Sequence, residues 1–319
     1  MWVEACRFEL RLQLKQPTTF VLLLLGFSLA ALQALGHTAM FIAPVPVQGA
    51  PLGLVWGVGI TMLLLPVLTA LPIARAALRE DIYRAGAWLD VLGNPVSYRV
   101  GRIIAAGILS MALATAIALP FVLIYVFPSL AAYPLAKLQW SAVLWAAALF
   151  AIPGALISTG FLYAAAAHFG TLSAALLSAV SLFVCMFAAN SLASSQPELA
   201  LLDPFGIRLF TREVLMAVPF AERAYSEVAP GVMLNVNRLL WVCLALLAVG
   251  MSVFKGSRPP YNKNVVGTNL PVARHEYPVS PPRPAGLFHS WLCLSRFVSR
   301  DCTYLLRSPT LRVAVLVLA

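Results

Sequence analysis

The chain has 319 residues, 61% of them hydrophobic and 11% charged, with a formal net charge of +10 and a mean hydropathy of +0.87. So little polar surface cannot cover a water-soluble globule of this length, and uncharged stretches recur along the first 254 residues, which excludes a soluble protein with a single anchor. An all-α, polytopic membrane protein remains, in which the basic excess concerns distribution across the membrane and no nucleic-acid partner is expected.

The first 16 residues, within "MWVEACRFELRLQLKQP", predict an amphipathic lead-in helix on the cytoplasmic side. Its acids and long polar lead, before an apolar run longer than a signal-peptide core, identify a first span that is retained. Six apolar stretches are long enough, or nearly so, to cross a bilayer about 30 Å thick: 18–35, 52–73, 103–127, 141–167, 171–189 and 239–254. The uncharged section 138–197 is too long for one crossing, so "AHFGT", with Gly170 as breaker, predicts a hairpin between the fourth and fifth spans. With the N-terminus inside, 17 of the 22 Lys and Arg residues fall on the inner side. That bias predicts a cytoplasmic N-terminus.

As delimited, the six stretches hold no Asp, Glu, Lys or Arg, which argues against an ion-coupled transporter. Ser28, Gln33, Thr61, Ser110, Thr115, Ser158, Thr159 and Ser181 are expected mostly to bond a backbone carbonyl one turn back. Gly53 and Gly57 have the four-residue spacing of close helix pairs, either between subunits or within the chain. Pro66, Pro120 and Pro153 are expected to kink their helices.

Between spans two and three, residues 74–93 carry Leu78, Ile82, Ala85, Leu89 and Leu92 at three- and four-residue steps, with Arg79, Glu80, Arg84 and Asp90 in other directions. The pattern is an amphipathic helix along the cytoplasmic surface, ended by Asn94-Pro95. Such a helix either joins two spans or offers a docking surface. Between spans five and six, residues 190–238 form an external element with five acids and four arginines. It is too apolar for a free loop and is expected to pack over the mouth of the spans or dip into the headgroups. In its "LLDPFG", Asp203 before Pro204 and Gly206 with a positive φ predict a turn.

Residues 255–290 are proline-rich and predict a cytoplasmic linker. His275-Glu276 begins like HExxH but lacks the second histidine, so no zinc site is expected; no cofactor is expected either. Cys6, Cys185, Cys243, Cys293 and Cys302 show no metal-type spacing and are expected as reduced thiols. There is no phosphate-cradling G-x-x-x-x-G-K-[ST] loop and no nucleophile–base arrangement, so the chain is not expected to be an enzyme.

Residues 291–319 repeat the N-terminal pattern: Glu9 matches Asp301, Lys15 matches Arg307, Pro17 matches Pro309 and Thr18 matches Thr310 at one offset. They read as the incomplete start of a second copy, a truncated seventh span whose residues 313–319 should pack poorly.

Arg79-Glu80-Asp81, Gly86, Pro95-Val96-Ser97 and Gly101-Arg102, in a chain of six spans with a lead-in helix and a large external element, resemble the permeases of type-2 ATP-binding-cassette exporters. Family members have an acidic "E-x-G-T" start, a "P-[VL]-S" break nine residues after the glycine, and Gly-Lys or Gly-Arg at the third span. Here Arg84 stands where glutamate is frequent, and Ala87 replaces the threonine. The resemblance implies that 74–93 is a coupling helix that docks on an ATPase subunit in trans through Arg79, Glu80, Asp81, Arg84, Gly86 and Asp90. It also implies a second permease half or a homodimer. "LLDPFG", "NVNRLLW" and the proline-rich linker further resemble bacterial proteins in which two permease halves precede a gluzincin-type aminopeptidase. The expectation is therefore a permease domain over 17–254. The alternative is a membrane anchor or N-terminal remnant of such a fusion, without transport activity.

Overall fold

A computed structural model describes residues 1–36, 50–82, 95–131, 134–192 and 197–254. Expectations for 83–94 and for 255–319, which include Arg84, Gly86, Asp90, the linker and the second copy, lie outside the described residues.

The described chain is helical, and six helices are long and apolar enough to cross a membrane: Pro17–Leu35, Pro51–Arg79, Val96–Val126, Trp140–Phe169, Leu172–Leu192 and Val232–Phe254. It is a multi-pass, all-α membrane protein. In order, the elements are α1 (Trp2–Leu14), α2 (Pro17–Gly36), α3 (Pro51–Thr61), α4 (Leu65–Ile82), α5 (Pro95–Val126), α6 (Trp140–Ala146), α7 (Ile152–Phe169), α8 (Leu172–Leu192), α9 (Ile207–Phe210) and α10 (Val232–Phe254).

The helices pack as a bundle mostly through pairs distant in sequence, with α4 and α7 at the centre. α4 lies against α5, α7 and α8; α10 lies against α7; α2 and α1 both lie against α5. The peripheral helices turn apolar side chains outward, as Leu24, Leu32, Leu177 and Leu247 show, and in a bilayer these meet lipid rather than water.

The second, third and sixth spans are longer than expected. Pro51–Arg79 and Val96–Val126 extend about one or two turns toward the end of the bundle that carries α1, and Val232–Phe254 starts seven residues earlier than expected. The expectation of charge-free spans is corrected accordingly: Arg75, Arg79, Arg99, Arg102 and Arg238 lie inside these helices, near their ends. Arg79, Arg102 and Arg238 are buried among other side chains, and the helices continue through them. At about 1.5 Å per residue the 29 residues of Pro51–Arg79 cover roughly 43 Å. That exceeds the hydrocarbon thickness, so the α1 end of α4 reaches the headgroup region.

Two of the three prolines distort their helices as expected. A 3₁₀ turn at Met62–Leu64 precedes Pro66, and a π turn at Ala147–Ala151 precedes Pro153. In each, the carbonyl one turn before the proline lacks its usual N–H donor, and the backbone relaxes there. Pro120 and the unanticipated Pro72 stay within continuous helices. Gly170, at φ +71°, ends α7 as the predicted hairpin requires, and the Thr171 hydroxyl accepts the Ala174 N–H to start α8. Thr61, Ser110, Thr115, Thr159 and Ser181 each donate to a carbonyl four residues back, and the Thr159 and Ser110 hydroxyl oxygens lie 2.9 Å apart across the α5–α7 contact.

Where α7 meets α10, a Cβ added to Gly160 would fall 2.6 Å from the Ala245 carbonyl oxygen. The two backbones are close because nothing stands between them. Gly160→Val should therefore destabilise the bundle by about 1–3 kcal/mol. Thermal unfolding in detergent micelles should show a lower midpoint, while a valine at Gly107, where an added Cβ meets nothing within 4 Å, leaves it nearly unchanged.

Candidate functional site

Two buried polar clusters hold the bundle, one at each end. The first joins α1 to the second and third spans. Along α1, Ala5, Cys6, Glu9 and Gln13 form one buried stripe. The small residues let α1 approach α5: a Cβ on Gly101 would lie 2.3 Å from the Trp2 carbonyl oxygen and 2.8 Å from the Ala5 Cβ. Gly101 of the Gly-Arg pair is thus the flat seat on which α1 rests.

Glu9 is fully buried, and its Oε2 lies 3.1 Å from Nη1 of Arg79, in the last turn of α4. The approach is ionic, since its angles lie outside hydrogen-bonding geometry. Oε1 accepts a 3.0 Å bond from the Gln13 amide, and the Gln13 carbonyl accepts the Thr19 hydroxyl at 2.7 Å, which ties α1 to the start of α2. Arg102, 1% exposed, places its guanidinium 5.4 Å from the Tyr98 ring centroid and contributes a second positive charge near Glu9. Burial pushes the Glu9 carboxyl above its ordinary range, against the opposing pull of Arg79, Arg102 and the Gln13 bond. Nearby, Arg99 donates to the carbonyl of Val253 in the last turn of α10 at 3.3 Å.

The second cluster lies at the opposite end, where "LLDPFG" meets "NVNRLLW". Gly206 has φ +68°, as its position in the turn predicts. Asp203, Pro204 and Gly206 are all buried. The Asp203 carboxylate accepts the Phe205 and Arg208 N–H groups, each at 2.9 Å. Its carbonyl accepts Asn237 Nδ2 at 3.0 Å and Arg238 Nη2 at 3.2 Å. The Leu201 carbonyl accepts Asn237 Nδ2 at 2.8 Å and Trp241 Nε1 at 3.0 Å. A Cβ on Gly206 would lie 2.5 Å from Arg238 Nη2, so the glycine also makes room for the guanidinium. Burial raises the Asp203 carboxyl above its ordinary range, although the N–H donors and Arg238 pull the other way.

These bonds pin the segment that precedes α10 over the spans. Ala200, Leu209, Phe210, Val214 and Val228 share one core with Leu52, Val55 and Phe150, which is the packing over the mouth that the apolar sequence implied. Phe150 and Phe210 meet edge to face, with centroids 5.5 Å apart. Glu213 reaches across to accept the Leu234 N–H at 3.1 Å and caps α10 from outside. A cavity of about 240 Å³ lies apart from both clusters, between α2 and α5, lined by apolar residues including Phe27, Ala31, Leu123 and Phe127.

The candidate docking residues separate. Arg79 faces inward to Glu9 and is 8% exposed, which removes it from any surface group. Glu80 and Asp81 follow on the last turn of the same helix, α4. The start of the predicted coupling segment, from 74 to 82, is thus not a separate surface helix but the continuation of the second span. Pro95 begins α5, and Arg102 lies in its second turn. Glu9 had been noted only as a match to Asp301; its burial could have been read from its place on the stripe with Ala5, Cys6 and Gln13. The described cysteines, Cys6, Cys185 and Cys243, carry free thiols. Among the described residues no group of three or more His, Cys, Asp and Glu is placed to hold a metal.

No protein-family model matches the sequence, and none of the curated proteins is similar enough to match. The fold and its clusters define a polytopic, all-α membrane protein with a short first helix packed on the third span and a capped opposite end.

Replacing Glu9 by alanine strands Arg79 beside Arg102 and should cost about 3–5 kcal/mol. Joint replacement of Glu9 and Arg79 by leucine should recover most of it, as a double-mutant comparison of unfolding midpoints will show. The pH dependence has a definite sign. A carboxyl whose folded value lies above its unfolded one binds protons more readily when folded, so it opposes folding progressively as pH rises from about 4.5 through the folded value. Glu9→Gln should flatten this part of the stability–pH curve.

Proposed function

We propose that the chain is the membrane-spanning permease subunit of an ATP-binding-cassette transporter, an exporter driven by an ATPase subunit in trans. It would work with a second permease half or a second copy of itself, in a bacterial inner membrane with its N-terminus in the cytoplasm. The observation that supports this most is the uninterrupted helix Leu65–Ile82. It rises from the centre of the bundle, carries Arg79 to its ion pair with Glu9, and includes Glu80 and Asp81, which the motif resemblance assigns to docking, in its last turn. A push on the chain beyond Ile82 would reach α5, α7 and α8 through direct packing and would reach α1 through Glu9. The energy would come from the partner's different affinities in its nucleotide states, expressed as rigid-body movement of the helices.

Co-expression with a candidate ATP-binding-cassette ATPase subunit tests the reading. Recovery of the ATPase on tagged wild-type chain should fall roughly thirtyfold with Glu80→Arg/Asp81→Arg, since reversing charges at a docked contact costs about 2 kcal/mol or more. Equal recovery, with both forms unfolding at the same temperature, would count against docking at this helix.

A further inference from the structure

The stripe that buries α1 leaves its opposite face unused by the bundle. On that face Arg7, Arg11 and Lys15 follow one another at four-residue steps, all exposed, so they form one cationic ridge. Exposed apolar side chains border it: Val3 and Leu14 on one side, Phe8 on the other, with Trp2 at the helix start. The acid on this face, Glu4, lies 2.8 Å from the N-terminal ammonium and also feels Arg7. One acid does not cancel three basic side chains, so the ridge stays cationic.

The level of the helix is fixed independently. Lys15 is two residues from Pro17, where the first span begins, and the buried face rests on Gly101, near the start of the third. The ridge therefore lies at the boundary between hydrocarbon and water. We propose that this face of α1 is a binding surface for anionic phospholipid headgroups. Arg7, Arg11 and Lys15 would take the phosphates, while Trp2, Val3, Phe8 and Leu14 sink into the acyl boundary. A water-soluble acidic protein would suit the charges but not the apolar side chains flanking them, and at this depth it would have to displace lipid. The proposal does not depend on the transporter reading, because it uses only the placement of α1.

Reconstitution of the full chain in nanodiscs of phosphatidylcholine, with and without phosphatidylglycerol, tests it by thermal unfolding and by native mass spectrometry of retained lipid. Wild-type protein should unfold at a higher temperature with phosphatidylglycerol, and added salt should shrink the difference. The variant R7Q/R11Q/K15Q should match wild type in phosphatidylcholine alone and lose the difference. Each removed charge should lower the preference for anionic lipid roughly fivefold. R7K/R11K/K15R, which keeps the charges, should behave as wild type. A full phosphatidylglycerol effect in the glutamine variant overturns the proposal. So does a wild-type protein indifferent to phosphatidylglycerol, the result expected of a face built for a soluble acidic partner. Should the glutamine variant not fold, wild-type protein that retains no more phosphatidylglycerol than phosphatidylcholine decides against it equally.

Discussion

A carboxylate with no exposed surface, paired with the Arg79 guanidinium and in the field of Arg102, fixes the α1 end of this molecule. Withdrawing Glu9 and Arg79 from water is costly, and the cost is tolerable only with each as the other's counter-ion. That condition locks three elements in register. α1 must lie with its small-residue stripe on Gly101, the second span must reach far enough to deliver Arg79, and the third must present Arg102 alongside. A helix of 13 residues would be marginal alone in water. Its order comes from this contact, and so does the outward direction of its basic ridge.

The other end uses a different solution to the same constraint. Arg238 is buried mostly among neutral acceptors, the Asp203 carbonyl and the Asn237 side chain, while the Asp203 carboxylate is occupied by backbone N–H groups. The charges are therefore dispersed through a hydrogen-bonded turn rather than matched in one ion pair, and the turn becomes rigid in consequence. Between the clusters, the middle of the bundle is held by close backbone approach and by hydroxyls returned to their own helices. Lipid gives no hydrophobic drive for helices to associate, so contacts such as Gly160 on Ala245 carry much of the packing.

The number of spans, the hairpin at Gly170, the turn at Gly206 and the packed external segment were legible, because each depends on local composition or on a backbone conformation few residues adopt. The span ends were not. Arg79, Arg102 and Arg238 looked like markers of water, since a sequence shows the charge of an arginine but not its partner 70 or 35 residues away. For the same reason Arg79 was assigned to a surface while it faces inward. "LLDPFG" and "NVNRLLW" stood out separately, and only folding reveals that they are two halves of one hydrogen-bonded cluster.

The placement of irregular backbone divides the bundle mechanically. The 3₁₀ turn before Pro66 and the π turn before Pro153 lie beside Met62, Leu149 and Phe150, which belong to the same core as Phe210 of the external segment. From Leu65 to Ile82 the second span then runs as α-helix to the Arg79–Glu9 pair, with Pro72 leaving one carbonyl of its ladder without a donor. Helices bend most readily where carbonyls have lost their donors. The 3₁₀ and π turns thus lie in the half beneath the cap, and in the half that bears α1 the second span keeps its ladder apart from the carbonyl that Pro72 leaves open. A displacement applied near Ile82 would travel along α4, partly absorbed at Pro72, and be taken up near Met62, next to the Phe150–Phe210 contact. The rigid ion pair and the relaxed turns are in this sense complementary, one transmitting and the other yielding.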